Sequence, residues 1–198
     1  MKCDVILAGV GGQGVLSVAA IIAQAAMKEG LNVRQSEVHG MAQRGGAVLA
    51  HLRLSKTEIA SDLVPKGNAD VIISMEPLES LRYADWLSPQ GIVVSAAQAL
   101  VNINNYPDHK TVLAALEGFP RRCVIQAEEL AKKAGHAKSV NMVMVGAASP
   151  FLPLRAQALE YAINAMFGGK KQELIAANIS AFRLGQQASR SLPEGNDQ

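Results

Sequence analysis

Short apolar runs alternate with longer stretches of helical periodicity along most of the chain. The first apolar run, residues 5–8, ends in a glycine cluster and predicts a strand that is buried on both faces. In residues 15–28 the polar side chains of Ser17, Gln24 and Lys28 lie on one narrow stripe of a helical projection. The pattern therefore predicts a strand, a glycine turn and a largely buried helix at the start of the chain.

The same alternation continues through the rest of the sequence. Further strands are predicted at residues 32–38, 47–54, 69–75, 91–95 and 123–125. Further helices are predicted at residues 78–87, 127–134, 140–148, 154–167 and 172–187, the first of them bounded by Pro77 and by Ser88-Pro89. Because two strands follow each other within residues 32–54 without a helix between them, the sheet should be mixed. We predict an α/β fold, a three-layer Rossmann-like domain with a mixed β-sheet, over residues 1–187, with a polar C-terminal tail at 188–198.

Composition excludes several classes of protein. The 198 residues carry 19 Lys and Arg against 17 Asp and Glu, without long runs of one sign, which argues against a nucleic-acid-binding protein. Aromatic residues make up only 4%, too few for base-stacking platforms, whereas 49% apolar residues exclude intrinsic disorder. The longest weakly polar stretch, residues 15–27, is shorter than the about 20 residues that a membrane span needs. No signal-peptide pattern precedes it, so we expect a cytoplasmic protein that does not cross a membrane.

The cysteines and histidines show no metal-ligand pattern. Cys3 and Cys123 are 120 positions apart, so the chain has no disulfide framework and no C-x-x-C pair for zinc or an iron-sulfur cluster. His51, His109 and His136 lack ligand spacing with one another or with the cysteines. Neither a Ser/His/Asp order nor a G-x-S-x-G elbow is present. The sequence therefore predicts no metal site, identifies no catalytic residue and leaves any cluster chemistry to another chain.

A glycine motif between the first strand and the first helix is the clearest candidate site. It reads Gly9-Val10-Gly11-Gly12-Gln13-Gly14 and fits the G-x-G-x-x-G pattern of a dinucleotide or phosphate loop. Glycines leave backbone N–H groups accessible at a helix N-terminus, where an anion is favoured. Glu37, 23 positions after Gly14, would then bind a ribose in a stand-alone nicotinamide or flavin enzyme. A tight turn packed against protein is an equally weighted alternative, and the lack of Gly-Lys-Ser/Thr excludes a P-loop ATPase.

A second candidate is the polar, glycine-bounded loop that runs from His39 to Gly46. Arg44 is the strongest single candidate, because Gly45 and Gly46 allow a ligand or a backbone to approach its planar guanidinium. His39 adds a group that titrates near neutral pH. Three interpretations stay open for this loop, namely a substrate or cofactor anion, a partner subunit, and internal structure.

Two later segments are assigned to packing. Residues 141–146 form an apolar helical segment with two methionines, which usually fill a core or an interface. Asn178 lies on the same helical face as Phe182 and Gly185, and a buried amide there is expected to bond to neighbouring backbone.

These motifs carry a family resemblance. Residues 9–15 and 36–46 closely resemble the gamma subunit or gamma domain of 2-oxoacid:ferredoxin oxidoreductases. Later segments resemble later blocks of that family, namely residues 69–71, 76–82, 127–131, 141–147 and 178–185. The resemblance covers roughly residues 3–187, and residues 37–46 together with the chain length are most similar to the indolepyruvate branch of the family.

The resemblance implies an activity that this chain does not carry alone. A larger partner subunit in the family holds thiamine diphosphate, with magnesium, and the iron-sulfur clusters. The complex decarboxylates a 2-oxoacid, passes electrons to ferredoxin and transfers the acyl group to coenzyme A. The chain is thus expected to bind no cofactor alone and to act in a hetero-oligomer. Its glycine motif and Arg44 would contact an anionic group or the partner chain, and a purely structural interaction module remains the alternative.

Overall fold

The computed structural model describes residues 1–39 and 45–191. Six strands form one sheet: β1 (Lys2–Val10), β2 (Asn32–His39), β3 (Ala47–Ser55), β4 (Ala69–Ser74), β5 (Leu87–Ala96) and β6 (Arg122–Ile125). Seven α-helices are α1 (Val15–Lys28), α2 (Pro77–Arg82), α3 (His109–Glu117), α4 (Ala127–Lys133), α5 (Val140–Ala148), α6 (Ala156–Phe167) and α7 (Gln172–Arg190), all within the described ranges. Short 3-10 turns lie at Ala84–Trp86 and Ser149–Phe151.

The sheet is mixed, as predicted. Its strand order is β2-β3-β1-β4-β5-β6. β3 is antiparallel to both of its neighbours, whereas β1, β4, β5 and β6 run parallel to one another. The antiparallel strand comes from the direct β2–β3 connection, whereas the parallel strands β4, β5 and β6 are joined by α2 and α3.

Helices cover both faces of the sheet, so the predicted three-layer α/β architecture is confirmed. Val5 and Leu7 point into a large core that α1 and α4 to α7 cover, whereas Ile6 points into a smaller core with α2 and α3. All three side chains are almost fully buried, as expected for a strand buried on both faces. In the described ranges no helix is long and apolar enough to cross a bilayer.

Several predicted boundaries differ from the structure, and one helix was missed. The helix predicted at 78–87 ends at Arg82, and β5 begins at Leu87, ahead of Ser88-Pro89. Pro89 is tolerated in this strand because the β4–β5 register shifts between Ala69 and Val71, which leaves the β5 residues there outside a regular ladder. The missed helix is α3, which Asp108 caps by accepting hydrogen bonds from the backbone N–H groups of Lys110 and Thr111.

Helices α5 and α7 cross with almost no space between their backbones. A methyl group on Gly146 would lie 1.9 Å from the carbonyl oxygen of Phe182, and one on Gly185 would lie 2.0 Å from that of Val143. Beside this crossing, Asn178 donates to the Leu174 carbonyl oxygen, in agreement with the packing role predicted for its amide. α7 continues to Arg190, beyond the helix end predicted at residue 187.

A buried ion pair lies near the amino-terminal end of β1. Arg53 on β3 donates from Nε and Nη2 to the two carboxylate oxygens of Asp4, at 2.8 and 3.1 Å. Its Nη1 donates to the carbonyl oxygens of Ser61 and Leu63. The Asp4 side chain is 0% exposed and that of Arg53 is 12% exposed, so the pair is shielded from solvent. Since β1 and β3 are antiparallel neighbours, this pair links two adjacent strands of the sheet.

Candidate functional site

The glycine motif lies where the helices change from one face of the sheet to the other. It follows the carboxyl end of β1, and α1 leaves it toward the larger core. The neighbouring strand β4 instead continues into α2, on the opposite face. Ligands of open α/β sheets bind at such a switch point, at the carboxyl ends of the parallel strands. The topology therefore puts this motif at the position where a binding site is expected.

Two glycines of the motif have backbone conformations that other residues rarely adopt. Gly12 has a φ of +102°, and Gly14, which precedes the first residue of α1, has a φ of +81°. A methyl group on Gly12 would meet no atom within 4 Å, whereas one on Gly14 would lie 3.0 Å from Nδ2 of Asn141. Gly14 is therefore required both by the backbone and by the neighbouring side chain.

The turn presents several hydrogen-bond donors that no residue in the described ranges accepts from. The backbone N–H groups of Gly12, Gly14, Val15 and Leu16 form no hydrogen bond to any described residue. Nδ2 of Asn141, at the start of α5, likewise donates to no described residue, while its Oδ1 accepts from the N–H of Met142. Donors without acceptors favour an anion, and the N-terminus of α1 adds a favourable dipole.

Gln13 holds the shape of the turn. Its Oε1 accepts a hydrogen bond from the N–H of Val10 at 2.8 Å, and its Nε2 donates to the carbonyl oxygen of Met75 at 3.2 Å. Both ends of this amide are thus used inside the protein, where they connect the end of β1 to the residue after β4. Gly9 is equally confined, because a methyl group there would lie 2.8 Å from a methyl of Val15. Gln13 and Gly9 therefore shape the turn.

The structure brings the end of the second candidate loop to this turn. The N–H of Gly11 donates to the carbonyl oxygen of Gly46 at 2.8 Å, and that of Gly45 donates to Gly11 at 3.4 Å. These bonds continue the β1–β3 ladder beyond its last pair, Val10 with Ala47. His39 is the last residue of β2, and Arg44, the residue before Gly45, lies outside the described residues.

Glu37 does not occupy the position of a ribose-binding acid. Such an acid ends the strand beside β1 in dinucleotide-binding folds. Here β3 lies between β1 and β2, so Glu37 is two strand spacings away, about 10 Å in the plane of the sheet. The Glu37 carboxylate also accepts a hydrogen bond from Nε2 of Gln35. This arrangement disfavours the stand-alone dinucleotide enzyme.

A third segment of the site was missed from the sequence. Nδ2 of Asn102 donates to the carbonyl oxygen of Gly45 at 2.7 Å, which places the loop 97–108 beside both glycine segments. Glu76, 1% exposed, accepts from the N–H of Leu100 and from the hydroxyl of Tyr106. Burial and the hydrogen bond to the Glu76 carboxylate raise the pKa of Tyr106. The Glu-Pro pair at a helix start was the one available signal for Glu76.

Both cysteine thiols are buried and have raised pKa values. Burial, with a contribution from the charges of Asp70 and Asp4, raises the pKa of Cys3 to about 12, and burial raises that of Cys123 to about 12. Metal ligation and alkylation both need the thiolate. In the described ranges, His, Cys, Asp and Glu form no group of three or more that is arranged to hold a metal ion.

We expect both thiols to resist alkylation in the folded chain. At pH 8 a thiol of pKa 12 is ionised in only about one molecule in 10⁴, against about a quarter for an unperturbed cysteine. Iodoacetamide labelling followed by mass spectrometry should therefore modify Cys3 and Cys123 at least 100-fold more slowly in buffer than in 6 M guanidinium chloride. Equal rates in the two conditions would show that at least one thiol is accessible in the native state.

Comparison with known proteins places this geometry among enzyme subunits. The family model described as pyruvate ferredoxin/flavodoxin oxidoreductase matches residues 4–188. The indolepyruvate oxidoreductase subunit IorB of Methanothermobacter thermautotrophicus is 38% identical over 196 residues, which cover 93% of this chain and 96% of that subunit. IorB of Archaeoglobus fulgidus is 36% identical over 194 residues, covering 93% of this chain and 94% of that subunit.

More distant relatives share the same domain. The 2-oxoglutarate synthase subunit KorC of Methanothermobacter marburgensis is 30% identical over 193 residues, covering 94% of this chain and 96% of that subunit. Among solved structures, the pyruvate oxidoreductase subunit PORC of Thermotoga maritima superposes with a TM-score of 0.70 at 26% identity. That match covers 94% of this chain and 96% of PORC.

Proposed function

Because the chain belongs to the pyruvate ferredoxin/flavodoxin oxidoreductase family, we propose that it is the smaller subunit of an indolepyruvate or arylpyruvate:ferredoxin oxidoreductase. The observation that carries the proposal is the 36–38% identity to IorB subunits over more than nine-tenths of both chains. Identity to the 2-oxoglutarate synthase subunit is lower, at 30% over a similar length. This difference favours the indolepyruvate branch over a pyruvate, ketoisovalerate or 2-oxoglutarate enzyme.

The complete reaction needs a second chain. In the proposed complex an arylpyruvate and coenzyme A give an acyl-CoA and carbon dioxide, while electrons pass to ferredoxin. Thiamine diphosphate with magnesium would supply the decarboxylation chemistry, and iron-sulfur clusters would carry the electrons, all held by a larger partner subunit. This chain does not suit the clusters, because it has only two cysteines and both are buried as neutral thiols. We therefore propose a cytoplasmic hetero-oligomer in which this subunit binds no cofactor on its own.

Within that complex the glycine turn would bind negative charge. The N–H groups that no described residue accepts from, together with Nδ2 of Asn141, are donors only, so they suit a phosphate of coenzyme A, a substrate carboxylate or an acidic side chain of the partner. Gln13 supports this role because it fixes the turn between β1 and Met75 before any ligand arrives. Arg44 would add a guanidinium from the segment that ends at Gly45.

Anaerobic co-purification tests the proposal directly. We expect the tagged full-length chain, produced in its native host, to bring down a larger, brown, cluster-bearing subunit. The purified complex should reduce a viologen dye with indolepyruvate only when coenzyme A and thiamine diphosphate are present. Parallel assays with pyruvate, ketoisovalerate and 2-oxoglutarate identify the branch of the family. A chain that purifies alone and colourless, or a complex inactive with every 2-oxoacid, would contradict the proposal.

Arg44→Ala is expected to lower kcat/KM for coenzyme A or for the 2-oxoacid about tenfold or more in that complex. The reason is that a hydrogen bond to a charged group contributes about 1.5–3 kcal/mol. The matched control is Arg34→Ala on β2, where the side chain is 54% exposed and its Nε lies 3.7 Å from the carboxylate of Asp62. If both variants behave like the wild type, Arg44 does not contact an anion. If Arg44→Ala abolishes co-purification instead, the loop is a structural contact with the partner.

A further inference from the structure

We propose that the buried Glu76 carboxylate is a positioning group for the glycine site, which it reaches through the loop 97–108. This inference rests on the proposed function only for its kinetic consequence. Its structural part is that Glu76 fixes the loop, and that the loop then holds Gly45 and Gly46 against Gly11. Glu76 is not expected to touch a substrate or a cofactor.

The two carboxylate oxygens of Glu76 have separate partners. Oε2 accepts the N–H of Glu79 at 3.0 Å and so caps α2. Oε1 accepts the N–H of Leu100 at 3.4 Å and the hydroxyl of Tyr106. One oxygen therefore belongs to the helix, and the other holds the loop at two points six residues apart. A cap alone would need only the first oxygen.

The loop transmits this restraint to the glycine site. Between the two anchored residues lies Asn102, whose Nδ2 donates to the Gly45 carbonyl oxygen at 2.7 Å. Gly45 and Gly46 in turn form the backbone hydrogen bonds to Gly11. The loop is itself well exposed, and the side chain of Val101 is 70% exposed. Since exposed side chains give the loop little apolar burial, the hydrogen bonds at its anchors must determine its position.

The side chains of Tyr106 and Asn102, which anchor the loop, lie outside the two hydrophobic cores. Tyr106 packs in neither hydrophobic core, and Asn102 is exposed. Removing the Asn102 contact should leave the packing of the sheet and its helices intact. A role in positioning can therefore be separated from a role in global stability.

Hydrogen exchange in the full-length chain tests the structural part. Tyr106→Phe removes the hydroxyl group that donates a hydrogen bond to Glu76. Asn102→Ala removes the amide group that donates a hydrogen bond to the Gly45 carbonyl oxygen. Each is expected to raise amide exchange about fivefold to tenfold in peptides covering residues 9–14. The reason is that each variant loses one hydrogen bond that holds the turn closed, and the net stabilisation from one such bond corresponds to about this factor. Because the two act in series, the double variant should match Asn102→Ala alone. Tyr83→Phe, in the smaller core beside Trp86, and exposed Asn104→Ala are the matched controls.

Kinetics of the assembled complex test the consequence. Tyr106→Phe and Asn102→Ala should each raise KM for coenzyme A or for the 2-oxoacid severalfold with kcat within a factor of two. Asn102→Ala, whose side chain is exposed, should also leave the melting temperature close to that of the controls. Exchange that rises in residues 97–108 but not in residues 9–14 would overturn the proposal, as would additive effects in the double variant. Altered exchange in residues 9–14 with unchanged KM would also overturn it. A wild-type complex that is inactive with every 2-oxoacid contradicts the proposed function, while the exchange result still decides whether Glu76 positions the turn.

Discussion

Replacement of Gly185 by alanine is expected to lower the free energy of unfolding by about 3 kcal/mol or more, at the upper end of the usual cost of overpacking. The added methyl group would lie 2.0 Å from the backbone carbonyl oxygen of Val143. Backbone cannot turn aside as a flexible side chain can, so α5 and α7 must separate by more than 1 Å to restore ordinary contact distances. That separation would also loosen the packing of the fully buried Phe182.

Chemical denaturation of the purified chain measures this loss. Gly146→Ala, on the opposite helix, should cost about as much, because its methyl group would lie 1.9 Å from the Phe182 carbonyl oxygen. Gly169→Ala is the matched control, since a methyl group there meets no atom within 4 Å and the change should stay within about 0.5 kcal/mol. Equal midpoints for Gly185→Ala and Gly169→Ala would show that the helices do not cross this closely.

Arg53→Met is expected to destabilise the chain by about 3–5 kcal/mol, since it leaves a buried carboxylate without its main partner. Asp4 is 0% exposed and receives two hydrogen bonds from Arg53. Lys2 also contacts Asp4, at 2.7 Å, but its side chain is 55% exposed and gives a weaker, solvent-screened interaction. The loss should therefore approach that of an uncompensated buried charge.

Comparison with a surface pair isolates the effect of burial. Arg155→Met removes the partner of Glu29 where the arginine is 79% exposed, so its cost should stay below about 1 kcal/mol. The double variant Asp4→Leu/Arg53→Met should be more stable than Arg53→Met alone, because no buried charge then remains. A double variant that is less stable than Arg53→Met alone would show that an unpaired buried charge is not the main cause of the destabilisation.

The sequence predicted those elements whose burial is visible in the local spacing of apolar residues. The α1 and α5 boundaries match the structure because their apolar periodicity and flanking residues are unambiguous. The order of the strands could not be read in the same way. Nothing within residues 32–55 specifies that β3, and not β2, pairs with β1, since that choice depends on contacts between distant parts of the chain. The same limit explains why Glu37 was considered as a ribose-binding residue.

In the candidate site, too, the features marked by local sequence were predicted and those that depend on distant contacts were missed. The glycine motif was recognised because φ above zero and a strand-to-helix turn leave a direct mark on sequence. Glu76 and Asn102 were missed because their roles rest on contacts with Tyr106 and Gly45, 30 and 57 positions away. A buried glutamate has no local signature beyond its capping position, and an asparagine in a polar loop has none.

The arrangement of the layers also affects how the protein is made. The strands at the centre of the sheet, β1, β3 and β4, are complete once Ser74 has been synthesised, but α5 to α7 cover much of their larger core face and end only at Arg190. At 5–20 residues per second, the ribosome needs on the order of ten seconds to supply those helices. During that interval Val5, Leu7 and Val71 have only part of their final cover, so the nascent chain exposes an apolar sheet surface that chaperones recognise. Because α7 crosses α5 at Gly146 and Gly185 and supplies Phe182 to the larger core, the cover of that core face is complete only after α7 has been synthesised.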